Sequence, residues 1–426
     1  MEARFADALA AISDDEILEI EKGLVRIPSY TTEEAEIAEF IADLLNGEGI
    51  EVGLQRVPFT DIAFSRTKRS YNVIGRLHGS GGGPSLMFNG HMDHGPIGGR
   101  ELENFSRWKR SPFEPVVEDG FLYGKGCQDE KGGICAMITA ALVVRRLKLR
   151  LRGDLIVAPV CGHKTYSRGS RHLVASGLRA TMAVNTENSG NGIVPLHVGV
   201  FKAEVTVRGA HPHPAIRRRH PEIRTQPTPY ERAQQFVRGL GPEARPYADG
   251  SWLRFERHPV LRDFPWHHIE EVASNGSLGR TVHVWWRTPP GITEDSLRED
   301  LERLIRQMKE EDPTFEAGVR MHAYGPALDT PFDAPVVQAF ARWHRAVAGE
   351  EPNVGVDGRY GGYGDASVLA AAGMQTVAYG PGGGMSDLEH QRQSMLGQVP
   401  PDERIPVRDL IVAARTSALA SIDLLT

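Results

Sequence analysis

Apolar positions along the chain recur first with a helical period and then in short unbroken runs. Thr31-Thr32-Glu33-Glu34 reads as a capping box, and Ile37, Ile41, Leu44 and Leu45 follow at helical spacing before Gly47, which predicts an amphipathic helix. The runs come next, each closing on a polar or glycine-rich turn: Leu86-Met87-Phe88 before Asn89-Gly90, Leu155 to Val160 before Gly162, and Thr181 to Val184 before Asn185. Runs of that length bounded by turns predict strands buried on both faces of a largely parallel sheet. Between the first two lies an alanine-rich apolar segment, Gly132 to Leu149, which predicts a helix. Strands alternating with helices imply an α/β domain, a mainly parallel sheet with helices on both faces, whose chemistry gathers at the carboxyl ends of the strands.

Beyond about residue 195 the runs give way to alternation. Val198 to Val207 and Thr281 to Trp286 read as half-exposed strands, with Trp285 and Trp286 on opposite faces, and Thr293 caps a helix carrying Leu297, Leu301, Leu304, Ile305 and Met308. A smaller α+β insertion over 196–322 is predicted, the first domain being 1–195 and 323–426. Helix and strand signals resume from Pro331, and Val377-Ala378-Tyr379 runs into Gly380-Pro381-Gly382-Gly383-Gly384.

Length and charge narrow the function classes. A chain of 426 residues holds two or three domains at roughly 100–200 residues each. Lys plus Arg (49) nearly balance Asp plus Glu (55), which leaves a formal charge of −6 and argues against a general nucleic-acid or membrane binder. Met1 to Glu16 lacks the basic flank and continuous apolar run of a signal peptide, and no stretch approaches the roughly 18 apolar residues of a membrane span. Cys127, Cys135 and Cys161 are an odd count without CxxC spacing, against a disulfide framework or a cysteine zinc site. A cytoplasmic location is expected.

Three constellations carry chemistry. In Asn89-Gly90-His91-Met92-Asp93, at the end of a predicted strand, the imidazole suits a metal and the carboxylate two positions on suits the ring's other N–H; His-x-Asp alone equally fits a hydrogen-bonded turn. Gly124-Lys125-Gly126-Cys127-Gln128-Asp129-Glu130-Lys131-Gly132-Gly133 opens the alanine-rich helix, where Asp129 is placed to bridge or ligate a metal. A phosphate-binding loop is the alternative, but the spacing matches neither GxGxxG nor the P-loop. Asn185-Thr186-Glu187-Asn188 offers another carboxylate beyond a strand; singly, Glu187 also fits a solvated loop.

In this order the three resemble the M20 family of metal-dependent peptidases and deacylases. The resemblance continues through Trp286-Arg287-Thr288-Pro289-Pro290-Gly291, Tyr363-Gly364-Asp365-Ala366, Tyr379-Gly380-Pro381-Gly382 and Pro401-Asp402-Glu403-Arg404, nearly the whole chain. It implies a ferredoxin-like inserted domain, a metal on His91, Asp129 and Glu187, and Asp93 as the partner of His91. It implies Arg287 and Arg359 as carboxylate anchors, and His211 or His213 as a histidine sent across an interface of a homodimer or higher homo-oligomer. A surface turn at His211 and His213 is the alternative, and Arg217-Arg218-Arg219 reads as a solvated face.

Two departures from the family pattern shape the functional expectation. Counted back from Gly169, the family's Glu-Glu pair falls on His163-Lys164, so an imidazole replaces the general base and an ammonium replaces a ligand of a second metal. The family's late histidine corresponds to His390 only through an inserted loop, since Val399 occupies the tightly spaced position. The expected enzyme is therefore a metal-dependent hydrolase of a C–N bond in a small carboxylate-bearing molecule, with one divalent transition metal, Mn or Zn. His163 is the expected base and Glu130 its reserve, with Lys164 offsetting Asp129 or holding the substrate. Amide hydrolysis or displacement of an amine from an activated ring, of the nitroanthranilate type, suits that site better than peptide cleavage. The alternatives are a dinuclear aminoacylase or dipeptidase, and a binding protein that has lost catalysis.

Overall fold

The computed structural model describes residues 2–59, 69–95, 104–247, 251–356, 364–383, 392–393, 395–397 and 401–426. Strands β1 (Glu51–Arg56), β2 (Tyr71–Leu77) and β3 (Leu86–His91) enter a main sheet. Strands β4 (Val116–Glu118) and β5 (Phe121–Tyr123) form a small separate sheet with Arg404–Pro406. Strands β6 (Leu155–Val160), β7 (Met182–Asn185) and β8 (Ile193–His197) join the main sheet with Gln375–Ala378, in the spatial order β1-β2-β6-β3-β7-(Gln375–Ala378)-β8. At its centre β6, β3, β7 and Gln375–Ala378 run parallel. Strands β3, β6 and β7 are buried at every position, as their unbroken apolar runs require.

Helices Gly132–Arg146 and Val407–Leu425 pack within the same apolar core, the first buried along most of its length because alanine and glycine let neighbouring backbone approach. The antiparallel pair β1 and β2 is absent from the sequence prediction. Strand β1 is exposed or half-buried throughout, so it has no apolar run to announce it.

A second unit has its own core. Strands β9 (Gly199–Arg208), β10 (Trp266–Ser274), β11 (Gly279–Thr288) and β12 (Glu316–Gly325) lie in the order β10-β11-β9-β12, all antiparallel. Helix Pro229–Leu240 links β9 to β10 and helix Glu294–Glu311 links β11 to β12, a ferredoxin-like arrangement. Trp286 is fully buried in that core and Trp285 only half-buried, the alternation expected of a one-sided sheet. The compact units are Met1–Leu196 with Thr330–Val356 and Gly364–Thr426, and His197–Asp329. The sequence pattern places the return at 323, inside β12, seven residues before the first unit resumes at Thr330.

The predicted capping box is corrected. The helix runs Ala35–Gly47 with no side-chain cap, because its polar groups are used elsewhere. Thr31 Oγ1 donates to Asp93 Oδ2 at 2.9 Å. The Glu34 carboxyl accepts from Thr32 N at 3.0 Å, Gly162 N at 2.9 Å and Ser70 Oγ at 2.5 Å, tying the helix start to the turn after β6.

Burial first, and the negative charge of Asp93 second, push the Glu34 carboxyl up from 4.5 to about 8 despite those hydrogen bonds. The folded chain then holds a proton that the unfolded chain releases near 4.5, so this group's contribution to stability falls as pH rises toward 8 and is constant above it. Melting temperatures of Glu34→Gln and the parent, compared between about pH 5 and 9, should diverge in the variant's favour up to about pH 8 and run parallel beyond. A difference that does not vary with pH would mean that Glu34 is ionised in the folded chain.

Candidate metal centre

The sheet register brings the first constellation to the third. Asn89 on β3 pairs with Asn185 on β7, and His91 and Glu187 each lie two residues further along parallel chains. On the other side of β3, His91 pairs with Val160, the last residue of β6, so the turn carrying His163 and Lys164 follows at the same edge. The distorted turn Cys127–Lys131 before helix Gly132–Arg146 delivers Asp129 and Glu130 to the same point.

His91 is fully buried, and its Nδ1 lies 2.9 Å from the Asp93 carbonyl oxygen, which fixes Nδ1–H as donor and turns Nε2 toward the carboxylates. Around that nitrogen stand Asp129 Oδ1 at 3.0 Å, Glu130 Oε2 at 3.4 Å and Glu187 Oε2 at 3.8 Å. All four atoms are buried without a hydrogen bond of proper geometry. A ring nitrogen and three carboxylate oxygens meeting at one point call for a positive charge among them, a proton on Nε2 or a cation. Burial alone would lower the His91 pKa; the carboxylates of Glu130, Asp129 and Glu187 instead hold it well above its ordinary value. The donor set fits a divalent cation, with His91, Asp129 and Glu187 as the residues that would hold it. His91, His163 and Glu187 also each present an atom within 4.8 Å of the others, so His163 stands close enough to share the ion.

Asp93 has a different part from the one expected of it. Its carboxylate lies 3.7 Å from His91 Nδ1, beyond a hydrogen bond, and it is the backbone carbonyl that holds the ring. The carboxylate oxygens accept from Thr31 Oγ1 at 2.9 Å, His163 N at 2.9 Å and Lys164 N at 3.2 Å. Asp93 thus fixes the backbone of the His163–Lys164 turn rather than the imidazole.

On that turn His163 stacks on His91, centroids 4.2 Å apart, and its Nδ1 lies 3.0 Å from Asp365 Oδ2. Burial raises the Asp365 pKa, but the His163 ring outweighs it and holds the carboxyl down to about 2. Asp365 has no role assigned from sequence; its signal is the Gly364-Asp365-Ala366 match at the start of helix Asp365–Ala371. Lys164 Nζ lies 3.3 Å from Asp129 Oδ2, the oxygen turned away from His91. Desolvation would lower the Lys164 pKa, but Asp129, then Asp93 and Glu187, raise it, so the ammonium stays charged. Asp129 is in turn held well below the usual carboxylate range: burial opposes this, and Lys164 and His91 prevail.

Arg359 and His390 lie outside the described residues. In the second unit Arg287 is half-buried, with its guanidinium 5.9 Å from the rings of both Trp266 and Trp285 and Nη1 lacking a hydrogen-bond partner among the described residues. His213 caps helix Pro214–Arg219 through Ala215 N at 3.3 Å and is itself bonded to His211 at 3.2 Å, so within one chain the two form a local turn. Arg217 donates to the carbonyls of Arg224 and Gln226, while Arg218 and Arg219 are exposed.

Glu403 is a further residue without an assigned role. Its carboxylate accepts from the backbone N–H of Gly126 at 2.9 Å and of Gln128 and Asp129 at 3.1 Å, clamping the loop that carries Asp129. Glu403→Ala should lower metal affinity by roughly 10–100-fold with the circular dichroism spectrum retained, as loss of an outer partner of a metal site does. Unchanged affinity would remove Glu403 from this role.

Known proteins resemble this chain in sequence and in fold. A model of Peptidase family M20/M25/M40 matches residues 87–417. An N-formyl-4-amino-5-aminomethyl-2-methylpyrimidine deformylase of Bacillus subtilis is 25% identical over 350 residues, 73% of this chain and 75% of that protein. A succinyl-diaminopimelate desuccinylase of Methylorubrum extorquens is 38% identical over 131 residues, 31% of each chain. Aminopeptidase PepT from Bacillus cereus superposes with a TM-score of 0.69 at 18% identity, covering 97% of this chain and 100% of that one. The YXEP protein of Bacillus subtilis, described as a dinuclear metal-binding peptidase, gives 0.64 at 16% identity, covering 96% and 98%. Among the described residues no helix is long and apolar enough to cross a membrane. With more than half of its length matched by the family model, this chain belongs to the M20/M25/M40 peptidase family and is a metal-binding hydrolase.

Proposed function

We propose that this chain hydrolyses a non-peptide C–N bond in a small carboxylate-bearing molecule, with one divalent ion per site and His163 as proton acceptor. The observation that carries the reading is Lys164. Its ammonium sits 3.3 Å from Asp129 Oδ2, at the position that family resemblance gives to a ligand of a second metal. A unit charge about 4 Å from a divalent ion faces roughly 8 kcal/mol of repulsion at an effective dielectric of about 20, twice the value for two unit charges. The names of the deformylase and the desuccinylase support an acyl group on nitrogen as the substrate class.

A bound divalent ion supplies Lewis-acid polarisation and a water acidic enough to react near neutral pH. The residues do the rest. Asp365 accepts from His163 Nδ1, which makes Nε2 the basic nitrogen, and its buried carboxylate stabilises the imidazolium once Nε2 takes a proton. Asp93 holds the backbone of that turn, so the ring keeps its place against His91. Lys164 removes the charge of Asp129 on the side away from His91.

The substrate test is a screen of metal-loaded protein against N-formyl and N-succinyl amides, aromatic amines of the nitroanthranilate type and dipeptides, read by release of acid or ammonia. Turnover of the non-peptide classes is expected; dipeptides as the best substrates would overturn the reading. On a turned-over substrate, His163→Asn should cost about 10²–10⁴-fold in kcat with bound metal unchanged. Loss of the ion from that variant would make His163 a ligand and not the base.

Metal stoichiometry is a separate check. Apo-protein should regain full activity at one equivalent of divalent ion, and Lys164→Glu should take up a second. A requirement for two equivalents in the parent protein would contradict the role given to Lys164.

A further inference from the structure

We propose that Glu130 is a fourth protein ligand of that ion, making a site of one histidine and three carboxylates suited to a hard divalent cation of the manganese class. The inference rests on the single-ion reading above and adds a residue that the M20 pattern leaves open, the variable position between Asp129 and Lys131.

Position is the first argument. Glu130 is 1% exposed, and its Oε2 lies 3.4 Å from His91 Nε2, closer than Glu187 Oε2 at 3.8 Å. Two donors about 2.1 Å from one ion are about 3.0 Å apart at a right angle and about 3.4 Å apart at the tetrahedral angle. The separations of 3.0 and 3.4 Å from His91 Nε2 to Asp129 and Glu130 match those two angles, and the 3.8 Å to Glu187 corresponds to a wider one of about 130° at the same bond length.

Orientation is the second. A buried carboxyl that only filled space would turn both oxygens to donors. Here Oε1 accepts from Thr186 Oγ1 at 2.8 Å, while Oε2 has no hydrogen bond of proper geometry and is aimed into the cluster. Both groups lie directly against Gly90: a Cβ there would come within 2.2 Å of both Glu130 Oε1 and Thr186 Oγ1. Glycine before His91 is thus what lets the Glu130 carboxyl lie across the end of β3, and Thr186 holds it there.

Charge is the third. Three carboxylates carry three negative charges; one divalent ion and the Lys164 ammonium carry three positive ones. Lys164 for a second ion and Glu130 for a neutral residue therefore compensate each other in one buried site. An oxygen-rich set with a single imidazole favours manganese over softer ions more than a two-histidine set would.

The test is titration of apo-protein with Mn²⁺, following free Mn²⁺ by electron paramagnetic resonance, for the parent, Glu130→Gln and Thr186→Val, with Zn²⁺ affinity by competition. One site in the parent is the condition set by the single-ion reading, and its failure is seen in the parent alone. Given one site, Glu130→Gln should weaken Mn²⁺ by more than about 100-fold, beyond the loss of an outer partner, and Zn²⁺ by less. Thr186→Val, which frees the carboxyl without removing it, should weaken Mn²⁺ by roughly 10-fold and shows the effect even if Glu130→Gln does not fold. Mn²⁺ affinity within about threefold of the parent in Glu130→Gln, or in Thr186→Val if the former is unfolded, overturns the proposal.

Discussion

Buried acceptors that face one another must share a positive charge, and the edge of this sheet is arranged around that constraint. His91 Nε2 and one oxygen each of Asp129, Glu130 and Glu187 converge without a donor between them. Holding such a cluster in a folded chain costs several kcal/mol per unpaired charge unless a cation completes it. The remainder of the first unit supplies the scaffold for that cost: parallel strands in register deliver His91 and Glu187, and the Cys127–Lys131 turn delivers the other two.

Around the cluster, three carboxyl groups act on backbone rather than on one another. Asp93 holds the N–H groups of His163 and Lys164, Glu34 those of Thr32 and Gly162, and Glu403 those of Gly126, Gln128 and Asp129. Each ties one loop beside the cluster to a side chain distant in sequence. The same framework sets the charges that face the substrate: an ammonium on the outer oxygen of Asp129 and an imidazole backed by Asp365.

What sequence reveals follows from how locally each signal is encoded. The buried strands β3, β6 and β7 announce themselves as unbroken apolar runs; His91 and Glu187 stand in motifs that end two of them, and Asp129 in the motif that opens the alanine-rich helix. Strand β1 carries no such run because its exposure relieves it of an apolar pattern, and β2 breaks its run with the buried Asn72 and with Gly75. The Thr31 capping box misleads because its hydroxyl serves Asp93, 62 positions away in sequence, and no local rule encodes a partner at that distance. Asp365 and Glu403 lie in recognisable motifs, but their roles exist only through contacts across 202 positions to His163 and across 274 to 277 positions to the Asp129 loop. The substitution of Lys164 for a carboxylate is legible as a departure from the family pattern, and its ion pair with Asp129 required coordinates.

The account turns on how many ions stand at Asp129. Crystals of the holoprotein, with diffraction collected above and below the absorption edge of the bound metal, answer this without reference to activity. The account requires one anomalous peak per site, on the Oδ1 side of Asp129 beside His91, with Lys164 Nζ retained against Oδ2. Two peaks bridged by Asp129, with the Lys164 side chain swung away, would contradict it.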